Sequence, residues 1–250
     1  MSRLFLHELR TQQRLFWRNR EAAFFTFLLP IIFLVLLGSV YGDEEIDGVP
    51  GSTYLLAGMI GYGVAATAFA GLAISFVVRR ESGVLKRVRG TPMPPAVYIA
   101  AVIASTLVVI AIEVAAQILL GRFALDADWP ASPASFAAVL LLGTAAFAAL
   151  GLAITGLVRS SEGSSAVVNA VYLPMTFISG SFFSTRSFPD FLEAVSDVLP
   201  LTFLLRLLRT LFIDGETLAS HPGWLAALTV WGVAGLAIAL RTFRWEPRSA

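Results

Sequence analysis

Long apolar runs separated by short polar segments occupy almost the whole chain. A hydrocarbon core about 30 Å thick needs roughly 20 apolar residues in a helix that rises about 1.5 Å per residue. Five runs meet that length, at residues 22–41, 54–78, 96–120, 134–158 and 223–241. A sixth, 165–183, is shorter and carries Asn169 and Pro174. It is read as a span because neighbouring helices can re-satisfy a carbonyl freed by proline. The pattern predicts an all-α polytopic membrane protein, residues 1–250 forming one domain with six transmembrane helices.

The polar segments are patterned too. Residues 1–21 hold five arginines, and at about 100° per residue Arg3, Arg10, Arg14 and Arg18 share one helical face opposite Phe5, Leu9 and Phe16. Such a helix lies in the headgroup plane. The apolar onset at Ala22 is late and no small-x-small cleavage site follows, so an uncleaved span is expected rather than a secretory signal. The helix is either a plain anchor or a lever that also touches a partner. Segment 188–213 is long enough to span, but Asp190, Glu193, Asp197, Pro200, Arg206 and Arg209 interrupt it. A charge at the bilayer centre costs roughly 2.5–3.5 kcal/mol. Two short helices at the outer leaflet are expected instead, the first with Phe191, Val195 and Val198 at helical spacing and the second opening on Pro200.

Composition agrees with lipid as the main solvent. Hydrophobic residues make up 57% and charged residues 14%, against about 45–50% and about 25% in soluble domains. The net charge of +1 gives no reason to expect a nucleic-acid partner, and with no cysteine there is no disulfide or thiolate chemistry. The distribution of charge says more. With six spans and the N-terminus inside, 14 of the 18 basic residues face the cytoplasm: Arg3, Arg10, Arg14, Arg18, Arg20, Arg79, Arg80, Lys86, Arg87, Arg89, Arg159, Arg241, Arg244 and Arg248. Only Arg122, Arg186, Arg206 and Arg209 fall outside. Asp43, Glu44, Glu45, Asp47, Asp126, Asp128, Asp190, Glu193, Asp197, Asp214 and Glu216 fall there too. The positive-inside rule then predicts a multi-pass protein of the cell inner (plasma) membrane with both termini cytoplasmic.

Within the spans, polar groups are few. Glu113 lies mid-span with Gln117 one turn on, either as a structural hydrogen-bonding pair or as a functional intramembrane acid. Gly63, Thr67, Gly71 and Ser75 recur every fourth residue, a stripe that suits close helix packing or the lining of a path. The two histidines, His7 and His221, have no serine or cysteine nucleophile arranged beside them, and no cluster has metal-ligand spacing. Lys86 is the one lysine and is followed by Arg87, so G-x-x-x-x-G-K-[ST], the phosphate-cradling loop of ATPases, does not occur.

The loop between the second and third spans is the most informative stretch. It reads Arg79-Arg80-Glu81-Ser82-Gly83-Val84-Leu85-Lys86-Arg87-Val88-Arg89-Gly90-Thr91-Pro92. Val84, Leu85 and Val88 form an apolar stripe on a short helix, which is expected to dock onto another surface unless the loop is simply a solvated basic turn. The run from Glu81-x-Gly83-x-Leu85 through Arg89-Gly90-Thr91-Pro92 resembles the cytoplasmic loop of ABC-2 type permeases, the membrane subunits of one class of ABC exporter. Asn169 through Leu201 is similar as well: Pro174, then Phe177-Ile178-Ser179-Gly180-Ser181-Phe182-Phe183, Phe188-Pro189 and Leu199-Pro200-Leu201-Thr202. So is the opening, Arg18-Asn19-Arg20 before the span holding Pro30. The resemblance covers essentially the whole chain. It departs at Ser82-Gly83-Val84, where the family commonly has Arg-Gly-Thr after the loop glutamate.

The resemblance implies a division of labour. Residues 80–92 would form a coupling-helix loop, with Glu81, Gly83, Val84, Leu85, Val88 and Arg89 seated in a groove of a separate ATPase. Residues 1–21 would be the connecting helix, with Arg10, Arg14 and Arg18 at that interface. Residues 188–213 would be outer helices that dip into the membrane before the last span. A second copy of this chain, or a related permease, would complete one pathway above two ATPase subunits. ATP and Mg would sit on those partners, with no cofactor on this chain and no catalytic residue in it. The scarcity of charge within the spans suits an amphipathic or apolar cargo, such as a drug, lipid or glycoconjugate, moved outward past Ser179, Phe182, Phe183 and Glu113 as the candidate path. An interfacial aromatic belt explains the phenylalanines equally well. Two other classes remain open at this stage: an ion-coupled secondary transporter centred on Glu113, and a non-transporting membrane assembly factor.

Overall fold

The computed structural model describes residues 2–42, 44–158, 160–212 and 220–246. Asp43, Arg159, Asp214, Glu216 and Arg248, which contribute to the charge asymmetry, lie outside the described residues, as does residue 213. Helix α1 (Ser2–Arg18) stops at Asn19, whose side chain caps α2 (Arg20–Tyr41) by accepting from the Ala22 N–H at 3.2 Å. A two-stranded hairpin follows, β1 (Glu45–Ile46) and β2 (Val49–Pro50), paired Glu45 to Pro50 and Ile46 to Val49. Its turn is Asp47-Gly48, both with positive φ, the pairing that a two-residue hairpin of this twist favours.

The second span is one rod from Gly51 to Glu81 in three parts: α3 (Gly51–Val64), a π-helical segment (Ala65–Gly71) and α4 (Leu72–Glu81). It runs past the predicted end at residue 78 because no breaker comes before Gly83, whose φ of 72° turns the chain into α5 (Val84–Arg89). Then come α6 (Pro95–Leu125), α7 (Pro133–Ile154) and α8 (Ser161–Ile178). After a short 3-10 turn (Thr185–Ser187) follow α9 (Asp190–Ser196), α10 (Pro200–Thr210) and α11 (Pro222–Thr242). Pro95, Pro133, Pro200 and Pro222 each stand in a first turn, where a missing N–H costs nothing. Helix α7 stops four residues short of the predicted boundary, as Thr155 turns its hydroxyl onto the Leu152 carbonyl at 2.6 Å.

Among the described residues, five helices are long and apolar enough to cross a bilayer: Arg20–Tyr41, Gly51–Glu81, Pro95–Leu125, Pro133–Ile154 and Pro222–Thr242. The remaining predicted span, 165–183, is α8, which ends at Ile178 and leaves Ser179 to Phe183 in the turn beyond it. Every residue of α3 is buried, and the Gly51–Glu81 rod touches α2, α6, α7, α8 and α10. The outermost helices, α2 and α11, expose apolar faces such as Phe24, Leu36, Val230 and Leu240, as lipid-facing helices do.

Helix α1 lies along α6, where Gln13 donates to the Ser105 carbonyl at 2.8 Å and its hydroxyl at 2.9 Å. Phe5, Leu9 and Phe16 are partly covered and Arg3, Arg10, Arg14 and Arg18 are exposed. The most covered residues are nevertheless polar: Glu8 and Gln12 bury a mutual hydrogen bond of 2.6 Å. Leu4, Leu6, Leu15 and Trp17 remain exposed.

The bundle has a basic end and an acidic end. At the basic end α4, α5 and the start of α6 meet the chain after α11, where Phe76 packs edge-on against Phe243 and Tyr98 lies against Trp245. At the acidic end, Thr53 bonds Asp128 at 3.1 Å and Ser184 bonds Asp47 at 2.8 Å. There α10 inserts Leu201, Leu204, Leu205, Leu207 and Leu208 into the core, and Trp231 donates to the Val198 carbonyl at 3.0 Å. Its 11 residues reach about 16 Å, too short to cross a bilayer. Arg206 is neutralised by Asp197, the residue that follows α9.

Close packing of the rod on α6 generates a testable expectation. A Cβ on Gly63 would fall on the Glu113 carboxylate. Gly63→Val should therefore lower stability by about 1–3 kcal/mol, read as a lower Tm in detergent. Gly223→Ala, at a glycine with open space around it, should leave Tm unchanged.

Candidate functional site

The α4–α5 corner carries the densest predicted set of functional residues, and burial divides it. Positions 73, 76, 77 and 80 of α4 share the inward face, so Ala73, Phe76, Val77 and Arg80 are all buried. Arg80 is 2% exposed. Its Nη1 donates to the Thr155 carbonyl at 3.0 Å, its Nη2 to the Val158 carbonyl at 2.7 Å, and its Nε to Glu81 Oε1 at 2.9 Å. One guanidinium thus satisfies two backbone carbonyls in the turn that follows α7. Glu81 is spent as its counter-ion within the chain.

Gly83 provides the left-handed turn, and Leu85 is fully buried in this chain's own core. The apolar stripe of α5 thus packs on the chain's own bundle through Leu85. Val88 also packs against the core, and Val84 is half-buried. The face of the corner left exposed is Ser82, Lys86, Arg87 and Arg89. A short helix rooted in this way is a stiff, positively charged knob joined to the central rod. Arg10, Arg14 and Arg18 lie exposed on α1, the helix that runs along α6.

Beside this corner a cleft of about 510 Å³ opens between α1, the first half of α2, the central rod and the first half of α6. Phe25, Leu29, Ala66, Ala70, Val102 and Val109 supply apolar wall; Gln12, Asn19, Ser105 and Arg79 supply polar rim. Thr67, Gly71 and Ser75 of the small-residue stripe line it, while Gly63 packs against Glu113. The stripe therefore does both things left open by its spacing. The change occurs at the π-helical segment, a distortion that recurs at functional sites.

Glu113 does not line the cleft. It is 1% exposed and accepts from Thr67 Oγ1 at 3.3 Å and from Gln117 Nε2 at 3.2 Å. Through Thr67 it holds the π-helical segment. Ser179, Phe182 and Phe183 likewise stand off the cleft, in the turn after α8. Phe182 packs on Tyr62 at 5.6 Å, and Tyr62 on Tyr172 at 5.9 Å, both of which line the cleft. An aromatic cluster thus separates the cleft from the acidic end. The turn above it is stapled: Arg209 stacks on the Tyr54 ring at 3.5 Å and donates to the Gly180 carbonyl, and Tyr54 donates to the Phe183 carbonyl at 3.2 Å.

Arg79, Arg80, Arg209, Tyr62 and Tyr172 are absent from the sequence-predicted site. For Arg80 a signal exists, since it continues an inward face with the spacing of buried residues. For Arg209 the signal is a charge inside a leucine-rich helix. Among the described residues, no group of three or more His, Cys, Asp or Glu is placed to hold a metal ion.

Comparison with known proteins adds an independent result. Residues 3–213 match the family model described as ABC-2 type transporter. YvfS of Bacillus subtilis (strain 168), assigned by name to the transport permeases, is 25% identical over 186 residues, covering 73% of this chain and 75% of that protein.

The Arg80 clamp is open to test. Arg80→Gln should leave two buried carbonyls without donors and lower stability by about 3 kcal/mol. Hydrogen exchange at residues 155–158 should accelerate, whereas Arg87→Gln, on the exposed face, should change neither quantity.

Proposed function

Because the chain belongs to the ABC-2 type transporter family, we propose that it is the membrane-spanning subunit of an ATP-driven exporter whose ATPase is a separate polypeptide. One observation carries this reading: α5 is anchored from within by Leu85 and turns only basic side chains, Lys86, Arg87 and Arg89, toward a partner. A surface of that kind transmits a push without collapsing. Its charge suits an acidic groove, and α1 offers Arg10, Arg14 and Arg18 for the same contact. Arg80 makes the corner continuous with α7, so displacement of α5 moves two spans together as a rigid-body change.

The remaining features fall into place around it. Helix α8 serves as the sixth span, with Pro174 tolerated inside the bundle. The basic end is cytoplasmic, which puts both termini inside a plasma membrane, and α9 and α10 sit in the outer leaflet. A second copy of the chain, or a related permease, completes the pathway, and ATP with Mg is bound by the ATPase pair. The cargo is amphipathic or apolar, taken up by the cleft and released past the Phe182 cluster toward the acidic end.

The experiment is capture of the ATPase by the permease. Reversing all three charges, Lys86→Glu, Arg87→Glu and Arg89→Glu, should lower co-purification of its ATP-binding cassette subunit at least about tenfold, the scale of several lost charge contacts. Tm should hold, because all three side chains are exposed. Undiminished capture by this variant would contradict the proposed docking face.

A further inference from the structure

The cleft has one charged residue among those lining it, Arg79. The Arg79 Nη1 donates to the Tyr98 hydroxyl at 3.0 Å, and among the described residues it forms no salt bridge. Its neighbour Arg80 is paired with Glu81, so the two arginines differ in kind: one is consumed by the fold and the other is held half-buried with its charge uncompensated. Leu72, Ser75 and Arg79 follow at i, i+3 and i+7 on a single face of α4, and all three line the cleft. From Tyr62 to Arg79 the lining follows the central rod for about 25 Å at 1.5 Å per residue.

The wall between these limits is largely apolar, and the volume falls in the range of about 300–1,000 Å³ typical of sites for one small ligand. Gln12 and Asn19 join Arg79 in lining it, and both are polar and uncharged. A neutral hydrocarbon would leave Arg79 uncompensated, and a small hydrophilic anion would leave the apolar wall exposed to water. The occupant that satisfies both is an elongated amphiphile with an anionic head.

We infer that the cleft binds a single-chain anionic amphiphile, its headgroup at Arg79 and its alkyl chain along the π-helical segment toward Tyr62 and Tyr172. Tyr172 adds a buried hydroxyl at the far end, beside Tyr62. This names the cargo class of the exporter and rests on that reading for the word cargo; the binding itself does not. The small side chains of Ala66, Thr67, Ala70, Gly71 and Ser75 are what leave room for the chain.

The protein contains no cysteine, so Ser75→Cys places a single thiol inside the cleft, one turn from Arg79. The full chain is reconstituted in phosphatidylcholine nanodiscs, and maleimide modification of that thiol is followed with added lysophosphatidylglycerol or lysophosphatidylcholine of equal chain length. Lysophosphatidylglycerol should halve the rate at about fivefold lower concentration, the scale of one basic residue acting near a membrane surface. Arg79→Gln should erase the difference and Arg79→Lys should retain it. In the unaltered Arg79 background, added salt should narrow the difference. Equal protection by both lipids, no protection by either, a preference that survives Arg79→Gln, or one indifferent to salt would each overturn the inference. The assay contains no ATPase, so such a result leaves the export reading standing. Loss of ATP-driven transport with selective protection intact would strike the export reading alone.

Discussion

A chain that turns inside a bundle after a helix presents backbone carbonyls that need donors, and in a lipid setting water is not at hand to supply them. Arg80 answers that constraint in the turn after α7. Its two terminal nitrogens reach the Thr155 and Val158 carbonyls while its Nε holds Glu81. The guanidinium fork suits this because it presents several donors in one rigid plane. The cost of burying the charge is offset by a carboxylate and two backbone oxygens, and removal of any one would leave the others unmatched. With α4 fastened to the end of α7, the α5 corner has little freedom to move apart from the spans. The tight packing of α7 on α11 extends the connected body to the far side of the bundle.

The acidic end follows the same logic. Arg209 stands in a leucine-rich helix, where a charge is expensive, and is held by the Tyr54 face and the Gly180 carbonyl. Arg206 is matched by Asp197. These pairings fasten the turn after α8 and α10 to the start of the central rod and join α10 to the end of α9. The basic residues thus sort into those the fold consumes, Arg80, Arg206 and Arg209, and those it leaves available, Arg79 in the cleft and Lys86, Arg87 and Arg89 on the knob. In the proposed mechanism the available set acts on other molecules.

Much of the helical plan was legible in the sequence because bilayer thickness imposes a length that can be counted. The five longest runs became the five longest apolar helices, and segment 188–213 formed two short helices that part between Ser196 and Pro200. What length does not encode was missed. The Asp47-Gly48 hairpin lies in a segment treated only as charge. The π-helical segment has no compositional mark beyond small residues, and it is where a regular four-residue stripe changes from packing to lining a cleft. Arg79 and Arg80 are identical in type and adjacent, so only the direction of each side chain on α4 tells a structural clamp from a free cation. Leu85 was legible as part of an apolar stripe on a short helix, but its burial against the neighbouring helices required the structure. Glu113 was legible as one of the rare intramembrane acids, but its place behind the rod required the structure.

The central claim is that this chain moves cargo with work delivered from outside itself, through a basic corner clamped to the transmembrane helices. The most direct measurement uses inside-out vesicles containing the permease with or without its ATPase. Inward accumulation of an amphipathic cargo is followed as ATP is added. The account predicts ATP-dependent accumulation only when both proteins are present, and its loss when Arg80 is replaced while the complex remains assembled. ATP-independent accumulation by the permease alone, at the rate of the full complex, would contradict it.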